Sequence, residues 1–576
     1  MGATTTRSRS GIARRLGAVL AAAAMAVPAA IRAQAPAEAP QYGGTLSVCT
    51  LYCTLSALTW DLADWNWKQA DDTGHFYERL FSADLSQAKH RGGKYAFRDN
   101  NWIPPDALRG ELAESWRWTD PLHVEVKLRR GVMFPEKKGV MESRELVADD
   151  VVGTYQLLAS SPKAIRTYWE HIEKVEALDR YTVRYSFKTF NAEWEMHSGY
   201  GHYGHVQPKE VVAAGVGNWR NHTGTGPFVL TDFVAGNSIA YARNPVYWDR
   251  ETLGGKPYKL PFVDRLVVRT IKDTSAQVTA LRTGKLDILE LVNWSAVSEL
   301  KRSAPALKWS QWVEGSGVYI SLRMDTKPLD DLRVRRALNI AIDKRAIVKS
   351  YYGGNAELFA YPMHPDWTGY FEPLSAMPEA VKELFTYDPA KAKKLLAEAG
   401  LPNGFTLRVQ MCSCAPDQSD LLQMVGAYLA KVGVKVQIEP MEYAAFLSVM
   451  NNKSHAPGYM MSNAHGAPTI TLSKLFRSES NNWNTSIYAD PDLDRRLVEM
   501  LAERSEPKRQ EMLKAMTREV VAAAPFIWLP TRHAYTAWWP WVKNYGGELR
   551  GGGGRPAPVY ARVWIDQAMK KKMGFE

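Results

Sequence analysis

Three histidines in one short stretch are the residues best suited to bind a metal ion or haem. His197, His202 and His205 lie within nine residues of one another in a segment rich in Tyr and Gly. Neutral imidazole is a good ligand for nickel and for haem iron, so a metal site is one interpretation of this cluster. The other interpretation is that the histidines pack within the fold and bind nothing.

Four cysteines form two close pairs that could be bridged or could bind a metal. Cys49 and Cys53 lie near the start of the chain, and Cys412 and Cys414 lie far from them. Neither pair has histidines at the spacing of a zinc site, which makes metal binding the weaker interpretation. The cysteines suit an oxidising compartment, in which three disulfide pairings remain open.

The catalytic motifs that can be recognised in a sequence are absent. The chain has no Gly-x-Ser-x-Gly elbow, no His-Glu-x-x-His and no phosphate-binding loop. A glycosidase needs only two carboxylates at a set separation, and Asp and Glu together number 61, so a secreted hydrolase with an aromatic-lined cleft stays open as an alternative. We assign no catalytic residue and expect no enzymatic activity.

The first residues have the pattern of a secretory signal peptide. A basic head precedes a short, alanine-rich apolar run at 17–27, and Ala33 provides a small residue for cleavage. The apolar run is shorter than the roughly 20 residues that span a bilayer. We therefore predict a signal peptide at 1–33 and a periplasmic location, by the general secretory route or, through Arg14 and Arg15, by the twin-arginine route.

The balance of charge does not indicate a nucleic-acid partner. The whole chain has 72 Lys and Arg against 61 Asp and Glu, and removal of the predicted signal peptide leaves 67 basic against 61 acidic residues. This small excess is spread over a long chain without a basic tract, whereas nucleic-acid binding requires a concentrated basic surface. We expect no nucleic acid among the partners.

The order of predicted elements indicates at least two domains of α/β character. With 576 residues, the chain exceeds one ordinary hydrophobic core. Apolar and polar residues alternate at 124–128 and 181–187, which predicts antiparallel strands. Farther along, an apolar stripe at 334–342 predicts one helix, and Asp388 followed by Pro389 predicts the start of another. Helices alternating with strands in this half indicate an α/β layer structure.

Several short motifs follow one another in a fixed order along the chain. They are Leu-Ala-Glu-Ser-Trp at 112–116, Gly-Thr-Gly-Pro-Phe at 224–228, Asn-Pro at 244–245 with Tyr-Trp at 247–248, Leu281 with Gly284 and Asp287, Arg-Arg-Ala-Leu at 335–338 with Ala-Ile-Asp-Lys at 341–344, and Tyr-Asp-Pro at 387–389. In this order, from about 43 to 545, the chain resembles the periplasmic solute-binding proteins for dipeptides, oligopeptides and nickel, the bacterial extracellular solute-binding protein family 5.

The resemblance implies an α/β fold in which two lobes close on a solute like a clamp, of the type II, large class with an extra subdomain in lobe I. Its segments would be 42–77 (lobe I), 78–222 (the extra subdomain), 223–315 (lobe I), 316–530 (lobe II) and 531–576 (return to lobe I). It also implies a monomer that delivers its solute to a membrane ABC permease. Because His205 continues into a stretch at 206–209 that resembles family scaffold, we predict neither a metal nor a cofactor.

The resemblance also shows that this chain lacks the acidic residues with which relatives bind the ammonium group of a peptide. Relatives that bind peptides carry acids in a lobe II motif similar to Gly-Asp-x-Gly-Asp-Pro, where a carboxylate pairs with the peptide ammonium. The matching stretch at 463–468 has Ala464 and Ala467 at the acidic positions, and a buried ammonium without a partner is costly. Peptide and oligosaccharide therefore both remain candidate solutes, and Asp417 or Glu314 is the alternative ammonium partner.

In place of that carboxylate, aromatic rings are expected to contribute much of the binding to the solute. The chain has 20 Trp, and indole faces suit sugar rings and other flat or apolar solutes. By resemblance, several of these rings and a few small or polar residues belong to segments that face the cleft. The ligand-binding residues that we predict are Trp65, Trp67, Trp312, Gly315, Gly317, Asn463, His465, Trp483 and Asn484.

Overall fold

The computed structural model describes residues 38–99, 101–165, 168–464, 466–478 and 483–575. The predicted signal peptide at 1–33 and His465 lie outside these residues. Within them, no helix is both long enough and apolar enough to cross a membrane.

Strands and helices alternate along most of the described chain. The strands are β1 (Thr45–Cys49), β2 (Phe81–Ala83), β3 (Leu108–Gly110), β4 (Ala113–Asp120), β5 (His123–Leu128), β6 (Met133–Phe134), β7 (Arg144–Glu145), β8 (Ile172–Asp179), β9 (Thr182–Phe187), β10 (Phe228–Val234), β11 (Ser238–Arg243), β12 (Arg250–Leu253), β13 (Lys256–Lys259), β14 (Arg265–Arg269), β15 (Ile288–Asn293), β16 (Lys308–Val313), β17 (Ser316–Leu322), β18 (Ala356–Glu357), β19 (Thr406–Cys412), β20 (Lys435–Met441), β21 (Gly458–Ala464), β22 (Phe526–Trp528), β23 (Thr531–Trp538), β24 (Val542–Lys543) and β25 (Trp564–Ile565). The α-helices are α1 (Trp67–Thr73), α2 (Ala148–Ala159), α3 (Lys209–Ala214), α4 (Thr274–Arg282), α5 (Trp294–Ser303), α6 (Leu332–Ile340), α7 (Lys344–Ser350), α8 (Glu379–Lys382), α9 (Pro389–Glu398), α10 (Pro416–Ala430), α11 (Tyr443–Asn451), α12 (Pro468–Phe476), α13 (Pro491–Ala502), α14 (Glu506–Ala522), α15 (Ala557–Tyr560) and α16 (Gln567–Lys572).

An eight-stranded mixed sheet contains the start, the middle and the end of the chain. Its order is β10–β11–β14–β1–β15–β23–β16, with β18 paired to β23. The central strand β1 runs parallel to β14 and β15, and its side chains Leu46 and Val48 are fully buried. Ser47, between them, is buried too, so both faces of this parallel strand are covered.

A four-stranded antiparallel sheet, β4–β5–β9–β8, adjoins the first. Its strands confirm the alternation predicted at 124–128 and 181–187, because Val124 and Val126 of β5 and Val183 and Tyr185 of β9 are buried. Helix α2 packs against β8 and β9. Trp194 closes this core, its ring in contact with Trp118 and Phe187.

A five-stranded sheet, β20–β19–β21–β17–β22, forms a separate unit. Successive residues of its strand β17 belong to two different cores: Tyr319 packs into one and Ile320 into the other. Since side chains alternate between the faces of a strand, both faces of this sheet are covered.

The predicted helices are present, with one difference in length. Helix α9 begins at Pro389, and the Asp388 carboxylate accepts a hydrogen bond of 2.8 Å from the amide of Lys391, as predicted. Helix α6 ends at Ile340, two residues before the end of the predicted stripe. The reason is that Asp343 caps the next helix, accepting a hydrogen bond of 2.8 Å from the amide of Ala346.

Apart from the two-residue strand β18, which pairs with β23, the chain passes between the sheets at two places that lie side by side, since the Glu314 amide donates to the Arg532 carbonyl at 3.0 Å. It leaves β16 of the eight-stranded sheet at Val313 and enters β17 of the five-stranded sheet at Ser316; it returns from Trp528 of β22 to Thr531 of β23. Below, lobe I denotes the part built on the eight-stranded and four-stranded sheets, and lobe II the part built on the five-stranded sheet.

The disulfides join neighbours in sequence, one in each lobe. Cys49 pairs with Cys53, and Cys412 pairs with Cys414. Of the three pairings that the sequence left open, the structure has the one in which both bridges are local.

Candidate functional site

The two lobes touch along a line where polar side chains of each reach the other. Glu193 of lobe I accepts a hydrogen bond from the hydroxyl of Thr469 in α12 of lobe II. The indole Nε1 of Trp367 in lobe II donates to the carboxylate of Asp99 in lobe I at 2.7 Å. Ala467, immediately before α12, packs into the lobe I core. The start of α12 is therefore in direct contact with lobe I.

Lys474, in the last turn of α12, lies between an amide and an indole ring. Its Nζ donates to Oδ1 of Asn463 at 2.8 Å and lies 4.3 Å from the ring centroid of Trp483. The side chain is half-buried, and burial lowers the pKa of its ammonium to about 8. Lys474 thus brings together Asn463 and Trp483, two of the predicted ligand-binding residues.

The neighbouring strand β17 supplies a stack of aromatic rings. Tyr319 stacks on Phe526 at 4.1 Å and on Tyr361 at 5.4 Å between ring centroids. Burial raises the pKa of the Tyr319 hydroxyl to about 12. Gly317, which is paired with Asn463 in the register of β17 and β21, has no room for a Cβ, because that atom would overlap the Tyr361 ring.

On the lobe I side, a run of four glycines at 551–554 folds against His202. Gly552, Gly553 and Gly554 have φ angles of 96°, 53° and 77°, in the left-handed region that favours glycine. A Cβ on Gly554 would come within 2.7 Å of Cε1 of His202. Burial lowers the pKa of His202 to about 3, and the positive charges of Arg79, Lys474 and Arg550 add to this effect.

The other two histidines of the predicted cluster serve the packing of lobe I. The Nε2 of His205 accepts a hydrogen bond of 2.9 Å from Arg79. The His197 ring lies 4.4 Å from the Tyr168 ring between centroids. The three imidazoles have different neighbours, and in the part of the chain that the structure describes no three His, Cys, Asp or Glu residues are grouped so as to hold a metal ion.

Buried ion pairs of lobe I lie on both sides of the glycine run in the sequence. Arg550 donates to Glu290 at 2.8 Å and to Asp71 at 2.9 Å, and all three side chains are buried. Arg555 forms a second buried pair with Glu111. Buried charges that are paired and hydrogen-bonded fix geometry, so these pairs hold both ends of the 551–554 run in place.

Two of the predicted tryptophans are packed inside lobe I. The Trp65 ring lies 4.2 Å from the Tyr203 ring between centroids, and its Nε1 donates to the carbonyl of Leu158 at 3.1 Å. Trp312 is buried on β16, and its Nε1 donates to the hydroxyl of Thr536 at 3.2 Å. The N–H groups of both indoles are engaged by lobe I itself.

The remaining predicted residues differ in their surroundings. Trp67 is 39% exposed at the start of α1, with its ring 4.7 Å from that of Tyr52 between centroids. Asn484 is buried and bridges a turn, since its Nδ2 donates to the carbonyl of Tyr488 at 2.8 Å. Gly315 lies at the first passage between the sheets, and a Cβ there would meet nothing within 4 Å. The prediction for His465 falls outside the described residues.

The two acids considered as alternative partners for a peptide ammonium are already bound to an arginine. Arg532 pairs with Glu314 and, at 2.6 Å, with Asp417. The positive charges of the peptide ammonium and of Arg532 would compete for the same carboxylates, which makes this position a poor ammonium site.

Sequence inspection missed the polar contacts between the two lobes, Glu193 with Thr469 and Asp99 with Trp367, and it missed two further features. The Gly-Gly-Gly-Gly-Arg run at 551–555 is visible in the sequence and could have drawn attention, because consecutive glycines allow close approach of the backbone. Lys474 carries no such signal. Its position follows only from the way in which α12 places it over Trp483.

The chain matches the family of bacterial extracellular solute-binding proteins, family 5 middle, over residues 107–484. Heme-binding protein A of Haemophilus influenzae is 28% identical over 464 residues, which are 75% of this chain and 81% of that protein. Glutathione-binding protein GsiB of Pectobacterium atrosepticum is 28% identical over 440 residues, 74% of this chain and 80% of that protein.

A solved structure shares the fold. The periplasmic binding protein DppA of Helicobacter pylori, in complex with the peptide STSA, superimposes with a TM-score of 0.72 at 23% identity, covering 91% of this chain and 99% of the other. The two-lobed α/β architecture that the sequence predicted is therefore confirmed. The family match spans well over half of the chain, and the protein belongs to the bacterial extracellular solute-binding proteins of family 5.

Proposed function

We propose that the protein is the exported substrate-binding component of an ABC importer, which encloses a peptide or a related small solute between its lobes and delivers it to a membrane permease. One observation carries the proposal: in a family 5 fold, polar side chains from both lobes meet near the start of α12, where Thr469 contacts Glu193 and Trp367 contacts Asp99. Converging polar groups between two domains are typical of a ligand site.

The segments of the two lobes form part of the proposal. Lobe I would comprise 42–77, 223–315 and 531–576, the extra subdomain 78–222, and lobe II 316–530. Sheet membership supports this division, with β18 as the exception, because it lies within 316–530 but pairs with β23 of the eight-stranded sheet. Both passages, after β16 and after β22, are connections of two residues. Two short, adjacent connections are suited to act as a hinge between rigid lobes.

A peptide or peptide-like solute is favoured over a sugar. The names of relatives include haem, glutathione and a bound peptide. The sugar alternative depended on four indole rings, but Trp65 and Trp312 are packed inside lobe I, which leaves Trp67 and Trp483 as the rings available for stacking. Asn463 beside Trp483 would supply hydrogen bonds to the solute.

Export is proposed by the general secretory or the twin-arginine route, with cleavage after Ala33. The two local disulfides support an oxidising compartment. Mass spectrometry of the protein from a periplasmic extract is expected to find a chain that begins at Gln34. A soluble protein that retains residues 1–33 would contradict this part of the proposal.

Ligand screening tests the main proposal. The periplasmic protein would be titrated with short peptides, glutathione, haem and oligosaccharides, with thermal unfolding as the measurement. A solute at 100 times its Kd is expected to stabilise the protein by about 2.7 kcal/mol. The solute should be recovered chemically unchanged, and X-ray scattering should report a more compact protein. Conversion of the solute at a rate lost on mutation of a cleft carboxylate would favour the hydrolase instead.

A further inference from the structure

We infer that Arg504 of lobe II strengthens solute binding by holding the lobes together, because its guanidinium binds to a surface of lobe I formed by Trp118, Pro121 and Phe190. These interactions are called the Arg504 contact below. The inference rests on the proposed function, because it concerns the closure of the lobes on a solute. It goes further by naming a positioning residue that is not among the predicted ligand-binding residues.

The Arg504 contact combines a hydrogen bond with two aromatic rings. The guanidinium carbon lies 4.0 Å from the ring centroid of Phe190 and 4.8 Å from that of Trp118. A terminal nitrogen of the same group donates a hydrogen bond to the carbonyl of Pro121, in the turn between β4 and β5. A planar guanidinium can cover aromatic rings and donate a hydrogen bond at the same time, which explains why an arginine suits this position.

The two rings that Arg504 covers are part of a packed aromatic group in lobe I. Trp118 lies on β4, with its ring 5.5 Å from that of Phe190 and 5.6 Å from that of Trp194 between centroids. Trp194 is buried in the core. Because packing confines the side chains of a core, lobe I presents a preformed surface to Arg504, and little conformational freedom is lost there when the contact forms.

A backbone hydrogen bond joins the lobes beside the Arg504 contact. The amide of Ala192 donates to the carbonyl of Leu501 at 2.8 Å. Ala192 follows Phe190 by two residues, and Leu501 precedes Arg504 by three. An amide hydrogen bond between two lobes is lost when the lobes separate, so the exchange rate of the Ala192 amide hydrogen reports how often they do so.

The Arg504 contact is separate from the connections through which the chain passes between the lobes. Those connections, at 314–315 and 529–530, lie side by side. Two rigid bodies that are joined along one line can rotate about it. A contact made by other elements, here the α13–α14 connection and the β4–β5 turn, fixes the angle of rotation. The Arg504 contact therefore belongs to the closed arrangement, and its free energy adds to that of solute binding.

Arg504 can be truncated without leaving a buried charge behind. The residue is exposed. Among the described residues, the partners of its guanidinium are two rings and one carbonyl, all of them neutral groups. Truncation thus removes an attraction between the lobes and leaves no carboxylate without its cation. Its effect on closure can be measured on a folded protein.

Matched variants test the Arg504 contact before any solute is added. Arg504→Ala removes the contact, and Phe190→Leu removes one ring while keeping an apolar side chain. Arg495→Ala is the control, because Arg495 is an exposed arginine of α13 whose ion pairs are with acids of the same helix. Hydrogen–deuterium exchange with mass spectrometry follows the segment that contains Ala192, and X-ray scattering follows the radius of gyration.

In the unliganded protein, Arg504→Ala is expected to raise the exchange rate of the Ala192 amide at least about fivefold and to increase the radius of gyration. Phe190→Leu should act in the same direction with a smaller effect. The double variant should exchange no faster than Arg504→Ala alone, because both substitutions remove the same interaction. Arg495→Ala should leave both measurements unchanged.

Solute binding is measured on the same variants with Ser-Thr-Ser-Ala and with glutathione, by calorimetry and stopped-flow kinetics. For a probe that binds, Arg504→Ala should weaken the affinity at least about fivefold. The change is expected mainly in the dissociation rate, because the Arg504 contact forms once the lobes have closed. Arg495→Ala should bind the probe as the wild type does.

Either of two results would overturn the inference: exchange of the Ala192 amide at the wild-type rate in Arg504→Ala, or wild-type affinity of this variant for a bound probe. Failure of the proposed function would look different. If neither probe binds to the wild type and mass spectrometry finds no solute in the denatured periplasmic protein, the proposed function falls. The exchange rates then still decide whether Arg504 holds the lobes together.

Discussion

The hydroxyl of Thr469 in lobe II donates a hydrogen bond to the carboxyl group of Glu193 in lobe I, at the line where the lobes meet. Burial raises the pKa of Glu193 from its ordinary 4.5 to about 8. The folded protein therefore holds the proton more tightly than the unfolded chain does. By linkage, the stability from this group is fully present below pH 4.5 and is lost as the pH rises towards 8.

We expect the Glu193→Gln variant to flatten this part of the pH dependence. In the wild type, the contribution of Glu193 to the free energy of unfolding should fall by at most about 1.4 kcal/mol per pH unit in that window. Urea unfolding at pH 5, 6, 7 and 8 measures the wild type and the variant, and their difference isolates Glu193. Glu299→Gln, at an exposed residue of α5, serves as the control. Parallel curves for wild type and Glu193→Gln would show that this carboxyl is not the group responsible.

Two arginines with the same kind of partner should differ widely in their effect on stability. Arg550 is fully buried between Glu290 and Asp71, whereas Arg408 is paired with Glu439 and 53% exposed. Arg550→Met leaves buried carboxylates without their cation and should cost about 3–5 kcal/mol. Arg408→Met should cost less than about 1 kcal/mol. Urea unfolding of both variants provides the comparison, and a cost for Arg550→Met as small as that for Arg408→Met would mean that solvent reaches the Arg550 pair.

Substitution by alanine should lower the free energy of unfolding much more at Gly317 than at Gly315, two residues away. A Cβ at 317 would overlap the Tyr361 ring, while one at 315 meets nothing within 4 Å. Gly317→Ala is therefore expected to cost about 1–3 kcal/mol through overpacking, and Gly315→Ala less than about 0.5 kcal/mol. Thermal unfolding measures both.

The double variant Gly317→Ala with Tyr361→Ala isolates the overlap. If the ring is the obstacle, the two substitutions together should cost less than the sum of their separate costs. Additive costs would locate the strain elsewhere.

Local signals in the sequence predicted individual elements well, because they depend on neighbouring residues. Asp388 and Pro389 define the start of α9 whatever the rest of the fold does. The end of α6 was predicted two residues too late, because the apolar stripe continues through Ile342 while Asp343 already caps the next helix. Competition between two adjacent helices is not visible in the periodicity of one of them.

The candidate site could be predicted only in part, because it depends on long-range contacts. The family resemblance led to Asn463 and Trp483, which the structure brings together through Lys474. It also led to Trp65, whose ring packs against Tyr203 within lobe I. Abundance of a residue type says nothing about the direction in which a ring points. That direction is set by contacts between residues far apart in the chain.

Trp65 and Trp67 provide the final prediction, since one is buried and the other 39% exposed. Trp65→Ala should lower the free energy of unfolding by about 3–5 kcal/mol, because it leaves a cavity and removes the hydrogen bond to Leu158. Trp67→Ala should change stability by less than about 1 kcal/mol. If Trp67 stacks on the solute, its removal should weaken binding at least about tenfold, as expected for an aromatic contact in a closed site. Urea unfolding and calorimetry on the same preparations separate the two effects. Unchanged affinity in Trp67→Ala would exclude stacking at this position and leave Trp483 as the ring to test next.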